Sequence, residues 1–69
     1  MKVAITGWER GFLVVDFIKI LTKNGYGLIE SKNYAERILD GKRVELTLED
    51  PVSLRELSNL NLHYSVCSV

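Results

Sequence analysis

The sequence has little of what extracellular, membrane or metal-binding domains depend on. It contains one cysteine, Cys67, and one histidine, His63, so it can form no internal disulfide and offers few soft metal ligands. Its longest apolar run, residues 12–15, is far too short to span a membrane. Its first residues also lack the pattern of a cleaved signal peptide. We therefore expect a protein of the reducing cytoplasm that binds neither a membrane nor a metal ion.

The chain also lacks an excess of charge of either sign. Nine basic residues balance nine acidic ones, and this balance argues against a dedicated nucleic-acid binder. The charges are unevenly distributed, however. Residues 1–43 carry eight Lys or Arg against five Asp or Glu, whereas residues 44–69 carry one against four. A basic N-terminal part would suit an acidic protein partner.

What the sequence does contain is the pattern of one small soluble domain over residues 1–69, with 46% hydrophobic and 26% charged residues. Apolar periodicity predicts strands at 2–6, 44–49 and 62–69, and helices at 12–23 and 28–40 with a short third helix ending at Leu57. The fold class is therefore α+β, in the order β-α-α-β-α-β. A three-stranded antiparallel sheet with three helices packed on one face satisfies this order.

The same periodicity predicts which side chains face the core. On the first two helices these are Val14, Phe17, Ile18, Leu21, Leu28, Ala35, Ile38 and Leu39. Gly41 follows the second helix where a C-terminal glycine cap would lie. Two starts are open for the third helix. Asp50 can cap it with Pro51 at the first helical position, or Ser53 and Glu56 can form a capping box.

Two glycine-containing segments resemble phosphate-binding loops, but neither has the required spacing. In KVAITGWERGFL, a dinucleotide turn would need glycine at Leu13, and GYGLIE has no third glycine. A P-loop is excluded because no GK[ST] element is present. His63 and Cys67 share one predicted strand roughly 13 Å apart, too far for a nucleophile and its base. We expect no catalytic residues, no cofactor and no enzymatic activity.

Residues 25–33, GYGLIESKN, together with Ile18 and Lys19, resemble a known family. The C-terminal domain of the bacterial ribosomal stalk protein has the signature I-K, a short spacer, then G-L-G-L-K-E-A-K-D, and the related Clp-protease adaptor shares its fold. The resemblance implies the same element order and a non-catalytic protein-binding function. In the stalk family the helical hairpin is the docking surface for translation-factor GTPases.

The resemblance also implies which residues bind the partner. Lys19 and Lys32 match lysines of the signature, and Lys23 stands near the position of the family's arginine. Ile29 stands where the family has lysine, and Tyr26 is expected at the tip of the elbow. The expected partner-binding residues are therefore Lys19, Lys23, Tyr26, Ile29 and Lys32.

The two glycines of this segment are interpreted as a structural elbow between two helices. Gly25 would end the first helix in a left-handed conformation, which costs glycine little. Gly27 would let the second helix pack closely against the first.

Two alternatives to a stalk-like docking module stay open. The chain would also suit a small viral or mobile-element inhibitor that binds and blocks a host protein. A third hypothesis is a structural oligomer built through the last strand. Residues 63–69 contain no lysine, proline or carboxylate side chain, the usual guards of an open edge. If this strand lies at the sheet edge, the sequence predicts a homodimer or the addition of a partner strand.

Overall fold

The structure is a computed structural model that describes residues 1–67. Its elements are β1 Lys2–Trp8, α1 Val14–Lys23, α2 Leu28–Leu39, β2 Val44–Thr47, α3 Pro51–Leu57 and β3 Leu62–Cys67. The strands form one antiparallel sheet in the order β2-β1-β3. The predicted α+β fold is confirmed. The predicted last strand is described as far as Cys67, and residues 68 and 69 lie outside the described part.

One face of the sheet is buried under the helices and the other faces water. Val3 and Ile5 of β1, fully buried, join the same core as Phe17 of α1 and Ile38 of α2. Of the residues that alternate with them, Lys2 and Thr6 are exposed, whereas Ala4 is fully buried. The core is completed by Ile20, Leu21, Ala35, Val44, Leu46, Leu48, Leu57 and Leu60. Apolar residues at alternate positions of β1 and β2 thus form one face, against which all three helices pack.

Both long helices end in the same glycine-dependent motif. After α1, Gly25 has φ +94° and the amide of Tyr26 donates to the carbonyl of Leu21. After α2, Gly41 has φ +80° and the amide of Lys42 donates to the carbonyl of Arg37. These are Schellman caps, in which only glycine adopts the left-handed position without strain. The predicted roles of Gly25 and Gly41 are confirmed.

The third helix uses the first of its two predicted starts. The carboxylate of Asp50 accepts a hydrogen bond from the amide of Val52 at 3.0 Å, and Pro51 occupies the first turn. The alternative capping box is wrong. Ser53 is fully buried, and its hydroxyl accepts a hydrogen bond from Asn24 instead of capping the helix.

The predicted inward faces of the helices need three corrections. The buried stripe of α2 consists of Ser31, Ala35 and Ile38. This stripe leaves Leu28 at its margin, 55% exposed, and Leu39 at the end of the helix, 40% exposed. On α1, Ile20 is buried although it was not among the predicted core residues.

The first strand is longer than predicted, since β1 extends past Thr6 to Trp8. Its pairing with β3 is irregular between Ile5 and Gly7, where Thr6 has no partner residue in β3.

Candidate protein-docking surface

The segment GYGLIESKN forms the elbow of a helical hairpin. Four residues, Asn24 to Gly27, separate α1 from α2, and the two helices pack against each other. The predicted reason for Gly27 is wrong. A Cβ atom built at Gly27 meets nothing within 4 Å, and its φ of −68° suits any residue. Gly27 is instead the N-cap of α2, whose carbonyl accepts hydrogen bonds from both the amide and the hydroxyl of Ser31.

Asn24 connects this elbow to the loop that precedes α3. Its side-chain amide donates to the carbonyl of Ile20 at 2.7 Å and to the hydroxyl of Ser53 at 2.9 Å. Its side-chain oxygen accepts from the amides of Glu49 at 2.9 Å and Asp50 at 3.0 Å. Sequence reasoning missed Asn24 because three of its four contacts join residues more than 20 positions apart. These bonds fix the elbow relative to α3 and the loop before it.

Tyr26 does not project from the tip of the elbow. It is half-buried against the outer edge of β2, where its hydroxyl accepts a hydrogen bond from the amide of Thr47 at 2.9 Å. Its ring packs edge-on against Tyr34, with 5.6 Å between centroids. Tyr26 is therefore held by contacts within the protein, and its hydroxyl protects the edge of β2 at Thr47.

Lys23 is also engaged within the domain. Its ammonium lies 3.2 Å from the carboxylate of Asp50, the N-cap of α3, and 3.6 Å from that of Glu56 in the last turn of α3. The hydrogen bond and charge of Asp50, with the charge of Glu56, raise the pKa of Lys23 above its ordinary value. In turn, the amide of Val52 and then Lys23 lower the pKa of Asp50. Lys23 thus links α1 to the start of α3.

This cluster predicts a pH dependence of stability. Because the folded-state pKa of Asp50 lies below its unfolded value, its contribution is complete above about pH 4 and is lost as the pH falls through the folded value. We expect Asp50→Asn, which can still cap α3, to reduce the drop in melting temperature between about pH 5 and pH 2.5. Asp40→Asn, at an exposed carboxyl outside these contacts, is the control. An unchanged acid slope in Asp50→Asn would contradict the prediction.

Lys19 lies on the side of α1 that faces α3. It lines a depression of about 250 Å³ whose other walls come from α1, α3 and the loop after α3. The residues that line it are Leu13, Asp16, Lys19, Ile20, Glu56, Asn59 and Leu60. With Asp16 and Glu56 as neighbours, this surface carries charges of both signs. The structure therefore separates Lys19 from the residues of α2.

The exposed surface at the start of α2 is apolar at its centre. Ile29 is 76% exposed and Leu28, beside it, is 55% exposed. Lys32, one helical turn further, is exposed as predicted. We refer to Leu28, Ile29 and Lys32 as the α2 surface. Of the five predicted partner-binding residues, the structure brings Ile29 and Lys32 together and places Lys19, Lys23 and Tyr26 on other sides of the hairpin.

Ile29 also lines a depression whose other residues were not among the predicted partner-binding residues. Ile29, Glu30, Asn33, Tyr34 and Arg37 line a depression of about 330 Å³. The guanidinium of Arg37 lies 5.7 Å from the centre of the Tyr34 ring, within range of a cation–π contact. Ile29, Asn33 and Arg37 recur every four residues, so the helical spacing could have revealed this stripe.

The described residues contain neither a cluster of metal ligands nor a membrane-spanning helix. Among residues 1–67, no three His, Cys, Asp or Glu side chains lie close enough together to hold a metal ion. His63 is exposed on β3, 3.4 Å from the carboxylate of Glu9, and Cys67 is half-buried. None of the helices in this part of the chain is long and apolar enough to cross a membrane.

Comparisons with protein-family models, with curated proteins and with solved structures gave no match to this chain.

Proposed function

We propose that this protein is a non-catalytic binding module that docks another protein through its α1–α2 hairpin. The observation that carries the proposal is the exposure of Ile29, 76%, beside Leu28, 55%, on a helix whose other outward residues are mostly polar or charged. By its resemblance to the ribosomal stalk domain, the partner proposed is a translation-factor GTPase.

Leu28 and Ile29 are consecutive in the sequence, and both are exposed. A single exposed apolar side chain is common on protein surfaces and needs no explanation. Two consecutive large ones at a helix start leave water in contact with apolar surface that a partner would cover. Fully burying a side chain of this size stabilises a complex by about 1.5–3 kcal/mol. An apolar centre with a polar rim is also the usual arrangement of a protein–protein interface.

The charged residues divide into two groups by their contacts. Lys32 forms no ion pair within residues 1–67, and neither does Lys19. Both are therefore proposed to attract an acidic partner surface and to raise the association rate. Lys23 already binds Asp50 and Glu56, and Tyr26 already binds β2. Their proposed contribution to docking is to hold the hairpin in place.

The test is a titration of the fluorescently labelled protein against a purified translation-factor GTPase. Ile29→Asp should weaken binding at least about 10-fold, mainly through faster dissociation, because it places a charge at the apolar centre. Val52→Asp is the matched control, since Val52 is a 53% exposed aliphatic residue on α3, outside the α1–α2 hairpin. Thermal melting should show both variants folded. Equal affinities for Ile29→Asp and wild type would contradict docking through α2.

Charge reversal at Lys32 provides the second arm of this test. Lys32→Glu should slow association and reduce its dependence on salt, while stability changes by less than about 0.5 kcal/mol. Lys42→Glu, at an exposed lysine just after α2, is the matched control. If the two charge reversals slow association equally, the effect is one of net charge rather than of the α2 surface. If the GTPase fails to bind the wild-type protein, the partner proposed from the resemblance is wrong.

A further inference from the structure

The two edges of the sheet differ in the hydrogen bonds that they receive from the rest of the chain. The β2 edge is protected at its C-terminal end, since the amide of Thr47 donates to Tyr26 and, just beyond the strand, the amides of Glu49 and Asp50 donate to Asn24. Within residues 1–67, the only side-chain hydrogen bond to the β3 backbone comes from Thr6 of the neighbouring strand β1. The outer edge of β3 is therefore the open edge of the described sheet.

The apolar side of β3 is also incompletely covered. On β1 and β2 the core-facing residues are 3% exposed or less. On β3 the corresponding row consists of Leu62 and Tyr64, which are partly buried, and Val66, which is 50% exposed. The apolar face of the sheet thus continues to its open edge and stays in contact with water there.

The charges of β3 permit it to pair with a copy of itself. Residues 62–67 contain no lysine, arginine, aspartate or glutamate, and no proline. On the opposite edge strand, β2, the carboxylate of Glu45 forms two ion pairs. It lies 3.5 Å from the ammonium of Lys2 on β1 and 3.6 Å from the guanidinium of Arg43. Because like charges directly opposite each other oppose strand pairing, a strand free of them has no electrostatic barrier to self-association.

We propose that two copies of this chain associate through β3, in antiparallel pairing across a two-fold axis, to form a continuous six-stranded sheet. Antiparallel pairing keeps the helices of both copies on the same side of the sheet. Residues directly opposite each other share a face, so the apolar rows match only when core-facing residues oppose one another. A register with Tyr64 opposite Val66 of the second copy, and Ser65 opposite its own copy, meets this condition. Aromatic and β-branched residues form favourable cross-strand pairs.

The short interface sets the expected strength. β3 has six residues, whereas a standard stable interface has about 20–30 residues a side, so we expect a dissociation constant on the order of 10–100 µM. Sedimentation equilibrium from about 5 to 500 µM should then show a monomer–dimer equilibrium. A protein that stays monomeric throughout this range would overturn the proposal.

The decisive variant is Val66→Lys, which places an edge-guarding charge in the exposed apolar row. It should weaken the dimer at least about 10-fold. Val52→Lys is the matched control, because Val52 is the same residue type, 53% exposed, and lies on α3. It should dimerise like the wild type. Thermal melting of each variant at low concentration verifies folding. Equal weakening by both substitutions would mean that apolar contacts elsewhere drive association and would overturn the assignment to β3.

Amide hydrogen exchange distinguishes strand pairing from packing of the sheet faces. If β3 pairs with β3, the outward amides of residues 62–67 become hydrogen-bonded in the dimer, so their exchange should slow as protein concentration rises. The amides of β2 should exchange at the same rate at all concentrations. If the amides of β2 rather than those of β3 exchanged more slowly at higher concentration, the interface would lie at the β2 edge and the proposal would be refuted.

Discussion

Replacing Asn24 by alanine should destabilise the protein by about 2–4 kcal/mol. The side chain makes four hydrogen bonds of 2.7–3.0 Å that join α1 to Ser53 and to the loop before α3. Each such bond contributes about 0.5–1.5 kcal/mol, and polar groups left without partners add a further cost. A 69-residue domain has a total stability of about 3–10 kcal/mol, so the loss is a large fraction of it.

Urea denaturation measures this effect, and two variants define its origin. Ser53→Ala removes one of the four bonds, so it should cost less than Asn24→Ala, about 1 kcal/mol. Asn33→Ala is the matched control on the exposed face of α2, where alanine should be neutral or slightly stabilising because of its higher helix propensity. If Asn24→Ala costs no more than Ser53→Ala, the network does not connect the elbow to the α3 loop.

The order of elements could be predicted because it depends on local periodicity. Val3 and Ile5 lie at alternate positions of β1, Phe17 and Leu21 recur at helical spacing, and Asp50–Pro51 marks a helix start. Each of these signals lies within a few residues of its consequence. The exposure of Ile29 has the same kind of local origin, since it depends only on the phase of α2.

The arrangement of the hairpin surface could not be predicted, because it depends on contacts between distant segments. Lys23 looked like a free surface lysine, but Asp50 and Glu56 lie about 30 positions away in the sequence and bind it in the fold. Tyr26 looked exposed because nothing local indicates that the β2 edge would receive its hydroxyl. Hydrogen bonds and ion pairs between elements are set by the tertiary fold, and a single sequence carries no periodic signal of them.

Phe17→Ala should have the largest effect of any single substitution considered for this protein and should leave it largely unfolded at 25 °C. Phe17 is fully buried and packs edge-on against Phe12, with 5.7 Å between ring centroids. Truncating a buried phenylalanine costs about 3–5 kcal/mol, because the transfer free energy of the ring is lost and a cavity is left behind. That cost is comparable to the total stability of a domain this small.

Trp8, the only tryptophan, gives a direct readout of this prediction. Its ring lies 6.4 Å from that of Phe12, which in turn contacts Phe17, so loss of the core changes the surroundings of Trp8. Fluorescence-monitored urea unfolding should show no native baseline for Phe17→Ala. Phe17→Leu, which keeps most of the volume, should stay folded and lose only about 1–2 kcal/mol. Val15→Ala, at a 65% exposed position of the same helix, should be near neutral.

A cooperative transition for Phe17→Ala close to that of the wild type would mean that α1 does not pack its Phe17 face into the core. The hairpin would then lack the rigid support on which docking through α2 depends.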